Sequence, residues 1–150
     1  MAAKIRRALW AWVLLLLILS LLLSISSCGR KKWPSPQAGE EAFSWESVQA
    51  QRHQECLQIK ARLQGKSKNL RNIILQLEGR QQPCPDCPFQ PKQSIQLGIS
   101  SQQVQKKDDQ LQIEYCHLDS ELHYRLRLLG LNAFTSLEPA ASEVIRPQKP

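Results

Sequence analysis

Apolar and polar residues alternate with a period of two along several short segments of the chain. Four segments show this alternation through the apolar positions Leu57, Ile59, Ala61 and Leu63; Ile73, Leu75 and Leu77; Leu111, Ile113 and Tyr115; and Tyr124, Leu126 and Leu128. Successive side chains of a β-strand point to opposite faces, so this pattern predicts strands with one buried face. Clusters of Gly, Pro, Asn, Asp and Ser separate the segments, as turns require.

Two further strands are expected at the ends of this region. Val48 and Ala50 open a first strand ahead of a turn at residues 51–55, and Val144 with Arg146 belongs to a final strand. A helix over residues 48–63 is the main alternative, because Gln, Glu, Arg and Ala favour helices. The apolar positions there do not follow a 3.6-residue repeat, so strands are preferred. Six to seven short strands predict an all-β sandwich over residues 43–147, with residues 148–150 as a tail.

Length and charge limit the class of protein. The 150 residues include 20 basic and 13 acidic side chains, a net charge of +7. Residues 1–27 contain three cations and no acid, so the other 123 residues have a balance of only +4. This is enough chain for one small domain, and it excludes a large multidomain enzyme and a polytopic membrane protein. The positive charges are dispersed, so no nucleic-acid partner is expected.

The N-terminal segment has the pattern of an export signal. Lys4, Arg6 and Arg7 precede an apolar run over residues 9–23, and small residues follow it. A charged start, an apolar centre and a small-residue cleavage zone are typical of a secretory signal helix. An uncleaved membrane helix is the alternative, although residues 9–25 are only just long enough to span a bilayer.

Ile25-Ser26-Ser27-Cys28 resembles the lipobox of bacterial lipoproteins, in which an aliphatic residue and two small residues precede a cysteine. The resemblance implies that residues 1–27 are removed as a signal peptide and that Cys28 carries the acyl chains, palmitate among them. Residues 28–42 would then form a tether to membrane lipid. Gly29 stands where the family's inner-membrane retention signal has Asp. The expected location is therefore the bacterial cell envelope, at the outer membrane and facing the periplasm.

Residues 118–132 are similar to strand F of a fibronectin type III domain. Leu118, Tyr124 and Asn132 occupy the family's characteristic positions, and residues 142–147 resemble its closing strand. The resemblance implies a fibronectin type III or immunoglobulin-like sandwich, in which the hydroxyl of Tyr124 forms a tyrosine corner with backbone near Leu118. The sequence departs from the family at Ser120 and Leu122, and the candidate second strand contains no tryptophan.

Four more cysteines follow Cys28, namely Cys56, Cys84, Cys87 and Cys116. The fibronectin-like topology would bring all four to one end of the sandwich. An exported protein with an even number of cysteines is expected to form disulfides. Cys56–Cys116 with Cys84–Cys87 is the preferred pairing, although four cysteines allow three pairings and the sequence does not choose among them.

The cysteines also allow two other kinds of chemistry. All four could ligate zinc, since Cys84-Pro85-Asp86-Cys87 has ligand spacing. The same motif could be a thiol oxidoreductase site if one cysteine had a lowered pKa. An oxidising compartment disfavours free thiolates, and Pro88 stands where haem attachment would need histidine.

No other catalytic motif stands out, and His53, His117 and His123 are scattered. The sequence therefore predicts a non-catalytic binding or scaffolding lipoprotein without a cofactor, with an envelope protein as partner. The edge of a terminal strand, or residues 90–105, is the expected contact surface. A redox or zinc-binding lipoprotein acting through Cys84 and Cys87 is the alternative.

Overall fold

The computed structural model describes residues 38–148. Eight strands form in this part of the chain: β1 (Phe43–His53), β2 (Cys56–Gly65), β3 (Leu70–Arg80), β4 (Gln93–Gly98), β5 (Val104–Lys107), β6 (Gln110–Tyr115), β7 (His123–Asn132) and β8 (Ala140–Ala141). A one-turn helix α1 (Ala38–Glu41) precedes them, and a 3₁₀ turn (Ser67–Asn69) joins β2 to β3. No helix within residues 38–148 is long and apolar enough to cross a membrane.

The strands form two antiparallel four-stranded sheets in the orders β1-β2-β6-β5 and β4-β3-β7-β8. The expectation of an all-β sandwich is confirmed. With the strands lettered along the chain, these orders correspond to A-B-E-D and C′-C-F-G, an immunoglobulin-like arrangement. The signal helix expected within residues 1–27 and the lipidation site Cys28 lie outside the described residues.

The predicted alternation produces the core. In β2 the apolar positions from Leu57 to Leu63 are buried and the residues between them are exposed. The register places Ile59 opposite Ile113 of β6, so apolar side chains on neighbouring strands share one face. In the other sheet, Leu75 of β3 pairs with Leu128 of β7, and both are fully buried. Burial of these two inner faces is the main source of stability.

The first strand is longer than the sequence predicts. It begins at Phe43, and the turn after it consists only of Gln54 and Glu55. Phe43 reaches into the core because β7 has a glycine opposite it. A Cβ atom at Gly130 would lie only 2.6 Å from the Phe43 ring. Any residue larger than glycine at position 130 would therefore displace that ring.

Two strands, β4 and β5, were not predicted as strands. They lie mostly in the polar segment 90–105, and their apolar side chains are Ile95, which is half-buried, and Leu97 and Val104, which are buried. Both are edge strands of their sheets. An edge strand needs few buried side chains, so its hydrophobic pattern is weak.

The expected final strand at Val144 and Arg146 does not form as a continuous strand. Only Ala140 and Ala141 form β8, and Ile145 bridges Leu126. The ladder is interrupted because the hydroxyl of Ser142 accepts a hydrogen bond from the Leu128 backbone nitrogen. Such a side-chain bond competes with regular strand pairing.

The chain enters the sandwich at the end that contains α1. Asn69 and Asn132 each donate a side-chain hydrogen bond of 3.0 Å to the carbonyl oxygen of Glu41. Asn132 also accepts a bond from the backbone nitrogen of Phe134. These amides attach residues 38–42, the last part of the expected tether, to the domain.

Candidate functional site

All four described cysteines lie at one end of the sandwich, the end opposite α1. We call this end the disulfide pole. Cys56 is bonded to Cys116 with an S–S distance of 2.05 Å, and Cys84 is bonded to Cys87 at 1.93 Å. These are the preferred pairs of the three that the sequence allowed.

The first disulfide follows directly from sheet register. Strands β2 and β6 are antiparallel neighbours, and Leu57 lies opposite Tyr115. The next residue outward on each strand is a cysteine, so Cys56 and Cys116 face each other with Cα atoms 3.9 Å apart. The bond ties together chain segments 60 residues apart in sequence.

The second disulfide lies in the loop between β3 and β4. Cys84 and Cys87 are half-buried, and Pro85 and Asp86 between them are exposed. Arg125 of β7 fixes this loop, since its guanidinium donates hydrogen bonds of 2.8 Å to the carbonyl of Cys87 and 3.1 Å to that of Pro88.

Glu78 of β3 holds Arg125 in place. Its side chain is only 1% exposed. Oε2 accepts hydrogen bonds from Nε and Nη2 of Arg125 at 3.0 and 2.6 Å. Oε1 accepts a hydrogen bond from Nε of Arg80. Burial by itself would raise the pKa of Glu78. The hydrogen bonds from Arg80, Arg125 and the Gln90 backbone, with the charge of Arg125, outweigh burial and hold this pKa below its ordinary value.

Tyr124 lies beside this network at the start of β7. Its hydroxyl accepts a 3.0 Å hydrogen bond from the backbone nitrogen of Asp119, one residue after the buried Leu118. This is the contact that the tyrosine-corner interpretation required. The Leu118 nitrogen in turn donates to the carbonyl of Glu55, which ties this corner to the β1–β2 turn.

Arg52 of β1 is the second fixed guanidinium of the disulfide pole. Its Nε donates to the carbonyl of Gln54, Nη1 to that of Leu122 and Nη2 to that of Asp119, at 2.8, 2.6 and 2.7 Å. Its Cζ lies 5.2 Å from the centroid of the Tyr124 ring. Arg52 therefore has a fixed position, and no carboxylate among residues 38–148 forms a salt bridge with it.

A cavity of about 170 Å³ opens between these groups. Its lining includes Arg52, Glu78, Cys84 and Arg146. A larger groove of about 570 Å³ adjoins it and shares Arg80, Gln82 and Tyr124 with it.

The structure does not assemble the four-cysteine zinc site. Within residues 38–148, the one cysteine-containing group whose ligand atoms lie close enough to share a metal is Cys56, Glu114 and Cys116. Cys84 and Cys87 are not part of it, and the sulfurs of all four cysteines are joined in disulfides. Zinc binds cysteine as the thiolate, so these four cysteines, paired in disulfides, offer it no ligand.

The sequence did not identify Arg52, Glu78 or Arg125 as site residues. Each lies in a strand where a charged side chain ordinarily points to solvent. The sequence holds one signal for this network. Glu78 directly follows Leu77, whose side chain points into the core, so Glu78 belongs to the outer face of β3. On the neighbouring strand β7 it lies opposite the positively charged Arg125.

No protein-family model matches this chain, and no curated protein matches it either. The resemblances to a lipobox and to a fibronectin type III domain therefore rest on the residues that carry them.

Proposed function

We propose that this protein is a lipid-anchored lipoprotein of the bacterial cell envelope whose β-sandwich acts as a non-catalytic binding or scaffolding module. The pairing of all four cysteines of the sandwich into disulfides carries this proposal. Disulfides persist in exported proteins and are rare in a reducing cytoplasm. This supports reading the N-terminal segment as an export signal.

The geometry of the domain supports a binding role. The chain enters at Phe43, and β1 runs for 11 residues to the disulfide pole. At about 3.3 Å per residue, this pole lies roughly 35 Å from the point of entry. The disulfide pole, at the other end of β1 from this point of entry, is the first candidate binding surface. The edge strands β4 and β5, which fall largely within residues 90–105, offer a second surface to an envelope protein partner.

The anchor is tested by replacing Cys28 with alanine. We expect the Cys28→Ala protein to keep residues 1–27 and to carry no acyl mass, because the lipobox enzymes act on the cysteine. Mass spectrometry of the membrane fraction measures both properties. Cys84→Ala is the matched control and should be processed and acylated normally. Normal processing of the Cys28→Ala protein would refute the lipoprotein assignment.

A thiol-redox function is the second candidate. Two observations favour it: Cys84 lines a cavity, and its disulfide lies in a loop with exposed residues. Replacing Cys84 and Cys87 by serine separates the two functions. A structural disulfide predicts reduced stability and no lost activity, whereas a redox site predicts a stable fold that no longer exchanges electrons with dithiols.

A further inference from the structure

The cavity at the disulfide pole has an excess of positive charge. Four arginines line it, namely Arg52, Arg80, Arg125 and Arg146, and Glu78 is the single carboxylate of its described lining. Both oxygens of Glu78 are engaged by Arg80 and Arg125. Within residues 38–148, no carboxylate forms a salt bridge with Arg52 or Arg146. Two positive charges at this cavity are therefore not neutralised by the described part of the protein.

Arg52 is ordered in a position from which it could bind an anion. Uncharged carbonyl oxygens fix its guanidinium, so its position is defined while its full charge is retained. A guanidinium has five N–H donors, and these carbonyls do not use all of them. Because the side chain is already ordered, a ligand would bind without the entropic cost of fixing it.

We propose that this cavity is an oxyanion site that takes the phosphate group of an organic phosphate. Planar guanidinium groups bind phosphate through paired hydrogen bonds, and several arginines around one cavity favour a doubly charged group. Arg52 and Arg80 are half-buried, so solvent screens their attraction less than it would on an open surface.

The adjoining groove indicates the rest of the ligand. It shares Arg80 and Tyr124 with the cavity, and its lining adds Leu77, Leu122 and Lys92. These apolar and polar side chains suit a small organic portion of mixed polarity attached to the phosphate. The inference rests on the proposed binding function and names the ligand class of its disulfide pole.

The phosphate could belong to a soluble monoester or to the diester headgroup of a lipid. Both present non-bridging phosphate oxygens to the arginines, but the monoester has one more of them and alone reaches two negative charges. The full-length protein, in non-ionic detergent and phosphate-free buffer of low ionic strength, is titrated calorimetrically with inorganic phosphate, glycerol 3-phosphate and glycerophosphoglycerol. Acetate is titrated as a carboxylate.

Arg146→Gln is the informative variant because Arg146 is exposed and its side chain makes no hydrogen bond within the described residues. We expect saturable binding of a phosphate compound and an affinity at least about tenfold lower in Arg146→Gln, the effect of one charge-assisted hydrogen bond. Arg71→Gln removes the same charge from the opposite end of β3, at an exposed position, and should bind as the unmodified protein does.

Preference for glycerol 3-phosphate marks a soluble ligand, and preference for glycerophosphoglycerol marks a lipid headgroup.

Three results would overturn the proposal. They are the absence of saturable phosphate binding, an equal loss of affinity in Arg146→Gln and Arg71→Gln, and binding of acetate alone. Acylation of Cys28 is measured by mass and does not depend on this titration. Failure of the phosphate site and failure of the proposed lipid anchor are therefore distinguished.

Discussion

At the scale of single residues, Glu78 decides how the disulfide pole is built. One buried carboxylate fixes Arg125, and Arg125 fixes the carbonyls of Cys87 and Pro88. A carboxylate removed from water is stable only when paired and hydrogen-bonded, as it is here. The loop that contains the second disulfide is thus attached to the sandwich through an ion pair as well as through its own backbone.

Glu78→Gln is expected to destabilise the protein by about 3 kcal/mol at neutral pH, because two arginines lose their buried partner. The folded pKa of Glu78 is lowered, so its contribution is fully present above the unfolded pKa of about 4.3 and is lost as pH falls through the folded pKa. The difference between the two proteins should therefore shrink in acid. Urea unfolding at a series of pH values measures it.

Glu46→Gln is the control for Glu78→Gln. Glu46 pairs with Arg62 at the surface, where both side chains are about half exposed. Such a pair contributes about 0 to 1 kcal/mol. A difference between unmodified protein and Glu78→Gln that stays constant from neutral to acid pH would contradict the role given to Glu78.

Tyr124→Phe removes the hydroxyl that accepts a hydrogen bond from Asp119. We expect a loss of about 1 kcal/mol, the net value of a typical hydrogen bond. Thermal unfolding measures the change. Tyr115→Phe is the matched control, since the hydroxyl of Tyr115 makes no hydrogen bond within residues 38–148, and it should be close to neutral. Equal stability of the two variants would count against a tyrosine corner at Tyr124.

At the scale of strands and loops, the two disulfides differ in what they constrain. Cys56–Cys116 joins β2 to the end of β6 across 60 residues, whereas Cys84–Cys87 closes a short loop. The entropy that a cross-link removes from the unfolded chain grows with the length of the closed loop. The first disulfide therefore supports the fold, and the second shapes the surface of the cavity.

Replacing Cys56 and Cys116 by alanine should lower the free energy of unfolding by roughly 3 to 5 kcal/mol, against about 2 kcal/mol for Cys84 and Cys87. Denaturant unfolding without reductant measures both. The Cys84 and Cys87 double variant serves as the matched control, because it removes the same number of sulfur atoms. A larger loss from the short loop would contradict this division of roles.

The elements that the sequence predicted are those whose side chains alternate between core and solvent. In β2, β6 and β7 the buried positions repeat every second residue, and β3 does the same from Ile73 to Leu77, before the buried Glu78. Register then aligns these positions across the sheet. The edge strands β4 and β5 contain too few buried residues to show this period. The Ser142 hydroxyl, which interrupts the last strand, is a tertiary contact that no local pattern reveals.

The same contrast applies to the candidate site. Expected export and an even number of cysteines predicted two disulfides, with Cys56–Cys116 and Cys84–Cys87 as the preferred pairing. Three pairings stayed open on the sequence alone, and the structure shows which pairs form. The charged network behaves differently, because Arg52, Glu78 and Arg125 lie far apart in sequence and meet only after both sheets are packed. A charged residue on a strand is ordinarily solvated. Glu78 is buried because Arg125 of β7 and the backbone of Gln90, in the loop after β3, form hydrogen bonds with it.

At the scale of the whole molecule, the proposed function places an immunoglobulin-like sandwich on a lipid anchor. A fold of this class does not define a function by itself, and the role depends on the site it carries. We propose the disulfide pole, with its fixed arginines and the cavity between them, as that site. The pole lies at the opposite end of the domain from Phe43, where the chain enters it.

The most direct test of this account is the intact mass of the protein extracted from its native membranes, without reductant and under conditions that keep metals bound. We predict a chain that begins at an acylated Cys28 and lacks four hydrogen atoms because Cys56, Cys84, Cys87 and Cys116 form two disulfides. A chain that retains residues 1–27 with an unmodified Cys28 would contradict the lipid anchor. Free thiols, or an added mass of zinc, would contradict the disulfide-stabilised binding module.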